Sequence, residues 1–208
     1  MRSIISSLLL LVGLLPQLAA SEPPVIIVIG DSLSAAYGMQ QDQAWPSLLQ
    51  TRLQNNGYDH RIFNSSIAGD TTQGGLARLP GLLEKYRPEL VLIELGANDG
   101  LRGLSVDTTG QNLAQMIANS QQAGAKVLLS DIRLPPNYGR AYTDKFQQLF
   151  SNLAEQFNIG LIPFLLEDIV FDPQLMMADG IHPTAAAQPL LLEVLWPFIC
   201  GALSPPAP

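Results

Sequence analysis

The fold is decided by one stretch of the chain, Val25-Ile26-Ile27-Val28-Ile29-Gly30-Asp31-Ser32-Leu33-Ser34. Its first five residues are all β-branched and apolar, which is the pattern of a strand buried on both faces. A glycine and several polar residues follow at once, at the carboxyl end of that strand. Ligands of open α/β sheets bind at the carboxyl ends of the strands. The stretch therefore predicts both a parallel sheet and the place of a site.

The buried-strand pattern recurs along the chain, and helical patterns separate its copies. Further strands are predicted at 58–64, where polar residues indicate an edge, and at 90–95, 126–130 and 159–163. Apolar residues at helical spacing predict helices at 45–54, 72–86, from 107 or 108 to 122, 142–156 and 185–199. Pro80 and Gly81 are expected to bend or delay the second of these helices. Alternating strands and helices imply right-handed crossovers. We predict a three-layer α/β fold with five parallel strands in the flavodoxin-like order 2-1-3-4-5.

The first twenty residues have the pattern of an export signal. Arg2 supplies a positive charge, an apolar run covers 4–15, and small residues follow at 18–21. This predicts a signal peptide at 1–20, cleaved after Ala20 or Ser21, and a periplasmic or secreted protein. The apolar run is shorter than the roughly 20 residues of a membrane span, so we expect no stable membrane insertion after cleavage. Residues 21–203 are predicted to form a single domain, and the Pro-rich tail at 204–208 to be disordered.

Composition excludes several classes of protein. The 208 residues include 11 Lys and Arg against 18 Asp and Glu, and removal of Arg2 with the signal leaves a net charge of −8. An acidic chain without basic clusters does not fit nucleic acid as a partner. Cys200 is alone, which forbids an intrachain disulfide. Only two His residues are present, and His60 is expected at the surface, so we predict no metal and no other cofactor. Nothing indicates an obligate assembly, and we expect a monomer.

Four short blocks carry residues from which an acyl-transfer site can be built. Ser32 is a candidate nucleophile, and a hydroxyl needs an oriented base beside it. The spacing of Asp179 and His182 lets one turn bring a carboxylate to an imidazole. Gly69 and Asn98 could direct N–H groups at an oxyanion. Each residue also has an ordinary explanation: Ser32 as a helix cap, His182 as a loop residue with a local hydrogen bond, and Gly69 and Asn98 as turn residues.

Taken in order, these blocks resemble the SGNH (GDSL-type) serine hydrolase family. The sequence between the blocks is similar to one bacterial periplasmic branch of the family, the thioesterase I/protease I/lysophospholipase-type enzymes and related arylesterases. The similar segments are 70–72, 75–80, 99–103 and 133–139. Ala97 departs from the family, because many members have Gly there.

The resemblance implies roles for individual residues. It implies Ser32 as nucleophile, His182 as base and Asp179 as the residue that orients the base. It also implies an oxyanion hole formed by Ser32, Gly69 and Asn98, and a loop at 100–105 that moves over the acyl group. Substrate-binding positions implied in the same way are Asp31, Leu33, Asp70, Leu101, Ile132, Arg133, Leu134 and Pro135.

The leading prediction is an exported serine hydrolase that cleaves small acyl esters and thioesters through an acyl-serine intermediate. Three alternatives stay open. A carbohydrate O-deacetylase would use the same family site, although exposed aromatic residues for a sugar platform are few. A metallophosphoesterase would need more His ligands than the chain has. An exported flavodoxin-like binding module would explain the fold but would leave the four blocks to chance.

Overall fold

The computed structural model describes residues 22–205. The predicted signal peptide and residues 206–208 of the predicted tail lie outside the described residues. The strands are β1 (Val25–Gly30), β2 (Arg61–Asn64), β3 (Leu90–Glu94), β4 (Lys126–Ser130) and β5 (Gly160–Ile162). The α-helices are α1 (Trp45–Asn55), α2 (Thr72–Tyr86), α3 (Ala97–Leu101), α4 (Val106–Gln122), α5 (Arg140–Phe157) and α6 (Gln188–Ala202). Short 3₁₀ turns cover Gln41–Gln43, Pro136–Tyr138 and Ala185–Ala187.

The five strands form one parallel sheet in the order β2-β1-β3-β4-β5, which confirms the predicted topology. The central strands β1 and β3 are buried along their whole length, whereas β2 is a partly exposed edge. Gly30 at the end of β1 pairs in register with Glu94 at the end of β3. These two strand ends flank the point where the strand order reverses, which is where such sheets hold ligands.

Two hydrophobic clusters cover the two faces of the sheet. Because strand side chains alternate between faces, Ile26 and Val28 enter one cluster, with α1 and α6, while Ile27 and Ile29 enter the other, with α2, α4 and α5. The result is the predicted three-layer arrangement. The stretch Ala185–Ala202, which contains α6, is long and apolar enough to cross a membrane. In this fold α6 packs in the first cluster through its fully buried leucines and Ile199, so the stretch also fits a core helix.

Several local predictions are wrong. Residues 32–38 form consecutive turns and no regular helix, so the ordinary explanation of Ser32 as a helix cap does not apply. Helix α4 begins at Val106, and its cap is Ser105, whose hydroxyl accepts the N–H of Thr108 at 3.4 Å. Helix α2 continues through Pro80 from Thr72 to Tyr86. The helix α3 was not predicted.

One prediction about a polar residue at the amino end of the sheet also needs correction. His60 is only 6% exposed, and its Nε2 lies 2.9 Å from Oε2 of Glu89, so it is not a surface residue. Ser204 donates its backbone N–H and its hydroxyl to Oε1 of Glu89, each at 2.9 Å. These bonds join Ser204 to the amino end of the sheet.

Candidate active site

Ser32, His182 and Asp179 form a continuous hydrogen-bonded chain. Ser32 comes directly after β1, and the other two lie in the loop between β5 and α6. The hydroxyl oxygen of Ser32 is 2.9 Å from Nε2 of His182, and Nδ1 of His182 is 2.7 Å from Oδ2 of Asp179. Because a carboxylate can only accept, Nδ1 carries the proton and Nε2 is free to accept from Ser32. The arrangement can remove a proton from the hydroxyl.

The carboxylate of Asp179 is held as an anion by the loop that it belongs to. Its Oδ1 accepts the backbone N–H groups of His182 and Ile181, at 3.0 and 2.9 Å. These bonds, led by the N–H and then the ring of His182, lower the pKa of Asp179 to about 2. Gly180 makes the turn possible because its φ is +68°, a conformation that favours glycine.

The donors predicted for an oxyanion hole are the side chain of Asn98 and the backbone N–H groups of Ser32 and Gly69. One N–H of the Asn98 amide donates to Oδ2 of Asp31 at 3.0 Å, which leaves its second N–H available. Among residues 22–205, the backbone N–H groups of Ser32 and Gly69 make no hydrogen bond. The Gly69 loop is tied to the end of β1 by the N–H of Ile67, which donates to the carbonyl of Gly30 at 3.1 Å. Such donors are what a tetrahedral oxyanion requires.

The backbone conformation at Gly69 is also held by a residue of another loop. Its φ is +78°, and its carbonyl accepts from the guanidinium of Arg102 at 2.7 Å. Arg102 belongs to the loop at 100–105. Leu101 and Leu104 of that loop accept the hydroxyls of Tyr138 and Tyr142, at 2.9 and 2.8 Å. The loop predicted to cover the acyl group is thus hydrogen-bonded to Gly69 and to the region of α5.

Two carboxyl groups at the carboxyl ends of β1 and β3 are buried, which the sequence did not predict. Asp31 is 1% exposed and accepts the N–H of Leu33 as well as the amide of Asn98. Burial raises the pKa of Asp31 to about 6, against the effect of those two hydrogen bonds. Glu94 is fully buried and accepts the hydroxyl of Ser34 at 2.8 Å. Burial first, and then the charge of Asp31, raise its pKa well above the usual value.

The remaining predicted substrate-binding residues are two charged residues and five apolar ones. Asp70 forms an ion pair with Arg78, and Arg133 forms one with Glu167, so both have partners within the protein. Leu134 packs against Gly100, where a Cβ would come within 2.5 Å of its Cδ2. Leu33 and Ile132 are buried in the core, while Leu101 is half-buried and Pro135 exposed. Their contact with a substrate stays a prediction.

No competing centre stands out elsewhere in residues 22–205. A surface cavity of about 700 Å³ lies at the opposite end of the sheet, at the amino ends of β4 and β5. Its lining, from Gln121 to Ala202, contains no Ser, His, Asp or Glu. Within the same described range, no three or more His, Cys, Asp or Glu side chains are grouped to hold a metal ion.

Comparison with known proteins agrees with this geometry. The model of the GDSL-like lipase/acylhydrolase family matches residues 28–189. The chain belongs to this family. It is 50% identical over 199 residues to the esterase TesA of Pseudomonas aeruginosa, covering 96% of this chain and 98% of that protein. It is 45% identical over 174 residues to thioesterase 1/protease 1/lysophospholipase L1 of Escherichia coli K12, covering 84% of this chain and 82% of that protein.

Solved structures of the family share the fold as well as the sequence. The psychrotrophic esterase EstA from Pseudoalteromonas sp. superposes with a TM-score of 0.82 at 43% identity, over 85% of this chain and 97% of that chain. The predicted family and fold are thereby confirmed, and this GDSL-family chain is a hydrolase of the ester-cleaving class.

Proposed function

We propose that this GDSL-family protein is an exported serine hydrolase that cleaves acyl esters and thioesters through an acyl enzyme on Ser32. The observation that carries the proposal is the chain of hydrogen bonds from Ser32 through His182 to Asp179, at 2.9 and 2.7 Å. The names of the two curated relatives include esterase, thioesterase and lysophospholipase. The EstA structure is described as inhibited by monoethylphosphonate, which is the kind of reagent that captures a nucleophilic serine.

The reaction follows from the positions of the proton donors and acceptors. The oxygen of Ser32 attacks the acyl carbon while its proton passes to Nε2 of His182. The N–H groups of Ser32, Gly69 and Asn98 receive the oxyanion. His182 then protonates the oxygen or sulfur of the leaving group, and the carbon–heteroatom bond breaks. Water repeats the sequence on the acyl enzyme, gives a proton to His182, and releases the acid as that proton returns to Ser32.

A labelling experiment tests this proposal directly. Mature protein is treated with a fluorophosphonate probe and digested, and the labelled peptide is mapped. Label on Ser32, abolished in Ser32→Ala, is expected. The same substitution should lower kcat/KM for p-nitrophenyl esters by on the order of 10⁴–10⁶-fold. Ser204→Ala is the matched control, because that hydroxyl lies at the other end of the sheet and is bound to Glu89. Unchanged turnover in Ser32→Ala would mean that the nucleophile is wrong.

Substrate class and location need separate tests. A chain-length series of p-nitrophenyl esters and acyl thioesters, assayed beside acetylated glycans, separates an acyl esterase from a carbohydrate O-deacetylase. We expect ester and thioester cleavage to exceed glycan deacetylation. Export is tested by fractionation of bacterial cells expressing the full chain. The mature protein is expected outside the cytoplasm, as a monomer, with an N-terminus at residue 21 or 22.

A further inference from the structure

An aromatic ring lies against the imidazole of His182. The ring centroids of Tyr37 and His182 are 4.2 Å apart, and the ring planes make an angle of 32°. Tyr37 is 46% exposed, and among residues 22–205 its hydroxyl makes no hydrogen bond. Contact with His182 is therefore made by the ring and not by the phenolic oxygen. An apolar ring left this exposed gains little from burial in the core, so its position calls for another explanation.

The backbone on both sides of Tyr37 is held in an unusual conformation. Ala36 has a φ of +59° and Gly38 a φ of +71°. Glycine adopts this region freely, but alanine rarely does because its Cβ crowds the backbone there. Strain of this kind persists only where the surroundings fix it, and it is concentrated at functional sites. Ala36 is buried, and its carbonyl accepts the N–H of Met39 at 3.2 Å.

The turn that carries Tyr37 also contacts the loop that carries His182. A Cβ at Gly38 would lie 2.9 Å from the terminal methyl of Met177. Met177 in turn donates its N–H to the carbonyl of His182 at 2.7 Å. The base loop otherwise runs over the surface, with Asp179, Gly180 and Ile181 exposed. The turn of Ala36, Tyr37 and Gly38 therefore packs against the exposed loop of His182 and covers it at the imidazole.

From these contacts, and resting on the function proposed above, we propose that Tyr37 is a positioning residue for the catalytic base. Its ring closes one face of the imidazole and keeps Nε2 directed at Ser32 while Nδ1 stays on Asp179. The electron-rich face of the ring also stabilises the positive charge that His182 carries after it takes the serine proton, since aromatic faces attract cations within about 6 Å. The hydroxyl of Tyr37 has no part in this.

The test compares a variant that lacks the aromatic ring with variants that keep one. Tyr37→Leu removes the aromatic face, and Tyr37→Phe and Tyr37→Trp keep it. The readouts are kcat and KM for p-nitrophenyl acetate and the second-order rate of inactivation by a small phosphonofluoridate. Neither reagent has a long acyl chain that could be bound elsewhere. Tyr58→Leu is the matched control, because Tyr58 contacts the second histidine, His60, at a centroid distance of 5.8 Å.

We expect Tyr37→Leu to lower kcat and the inactivation rate by about three- to thirty-fold with little change in KM, the size of one lost cation–π contact. Tyr37→Phe and Tyr37→Trp should stay close to wild type in both readouts, and Tyr58→Leu should leave them unchanged even if it lowers the Tm. A rise in KM alone, or equal losses in all Tyr37 variants, would overturn the proposal. Full activity of Ser32→Ala would instead overturn the proposed function, so the two failures are distinguishable.

Discussion

The amide of Asn98 can serve the oxyanion in only one orientation, and Asp31 selects it. With one N–H committed to Oδ2 of Asp31 at 3.0 Å, the carbonyl oxygen of the amide points away from that carboxylate. We expect Asn98→Ala to lower kcat by about 10²–10³-fold, as for other single oxyanion donors. Asn98→Asp, which lacks N–H groups and faces Asp31 with a like charge, should be at least as slow. Steady-state kinetics on p-nitrophenyl butyrate would contradict this if Asn98→Ala kept most of its kcat.

At this scale the sequence identifies residue types and spacing but not which side chains meet in space. Ser32, Asp179 and His182 could be predicted because a nucleophile, a base and its partner have chemical requirements that few residues satisfy. Glu94 could have been noticed in the sequence, because it is the one charged residue of an otherwise apolar strand and stands at the carboxyl end of that strand. No sequence pattern points to Tyr37, because its role depends on a contact with His182, which lies 145 positions away along the chain. The burial of His60 likewise depends on Glu89, which joins it only in the fold.

Among the elements, helix α2 shows how packing overrides helix propensity. Gly75 and Gly81 lie on the same helix, and alanine is favoured over glycine in a helix by about 1 kcal/mol. A Cβ at Gly75 would come within 2.3 Å of Leu95, whereas one at Gly81 would meet no atom within 4 Å. We expect Gly81→Ala to raise the free energy of unfolding by about 0.5–1 kcal/mol and Gly75→Ala to lower it. Urea unfolding measures both, and a gain in Gly75→Ala would contradict the packing argument.

Elements were predictable where a periodic pattern ran for long enough. The central strands and the long helices were found because burial on one or two faces imposes a repeat on many residues. Helix α3 has five residues, fewer than two turns, and shows no such repeat. The turns after Ser32 are held by the nearby carboxylate of Asp31 and by Glu94, which lies 60 positions away from Ser34 along the chain. The contact with Glu94 could not be predicted from a local pattern.

In the whole molecule, two glutamates at opposite ends of the sheet make the free energy of unfolding depend on pH in opposite directions. Glu94, at the carboxyl end, has no cation beside it, and its Oε1 has no hydrogen-bond partner among the described residues. Glu89, at the amino end, is also partly desolvated, but the N–H and hydroxyl of Ser204 and the ring of His60 outweigh burial and lower its pKa. Relative to the unfolded chain, the fold therefore favours the protonated form of Glu94 and the ionised form of Glu89.

This difference predicts a measurable dependence of stability on pH. Because the pKa of Glu94 is raised in the fold, its stabilising contribution is complete below its ordinary pKa of 4.5 and is lost as pH rises towards the folded value. Over that window one retained proton lowers the free energy of unfolding by about 1.4 kcal/mol per pH unit. We expect Glu94→Gln to remove this slope, so that its advantage over wild type in urea unfolding grows as the pH rises above 4.5. Glu89→Gln should do the reverse: its pKa is lowered, so the variant loses stability at neutral pH and approaches wild type as acid protonates the carboxylate. Parallel stability curves for wild type and Glu94→Gln would show that the folded protein holds no extra proton at this position.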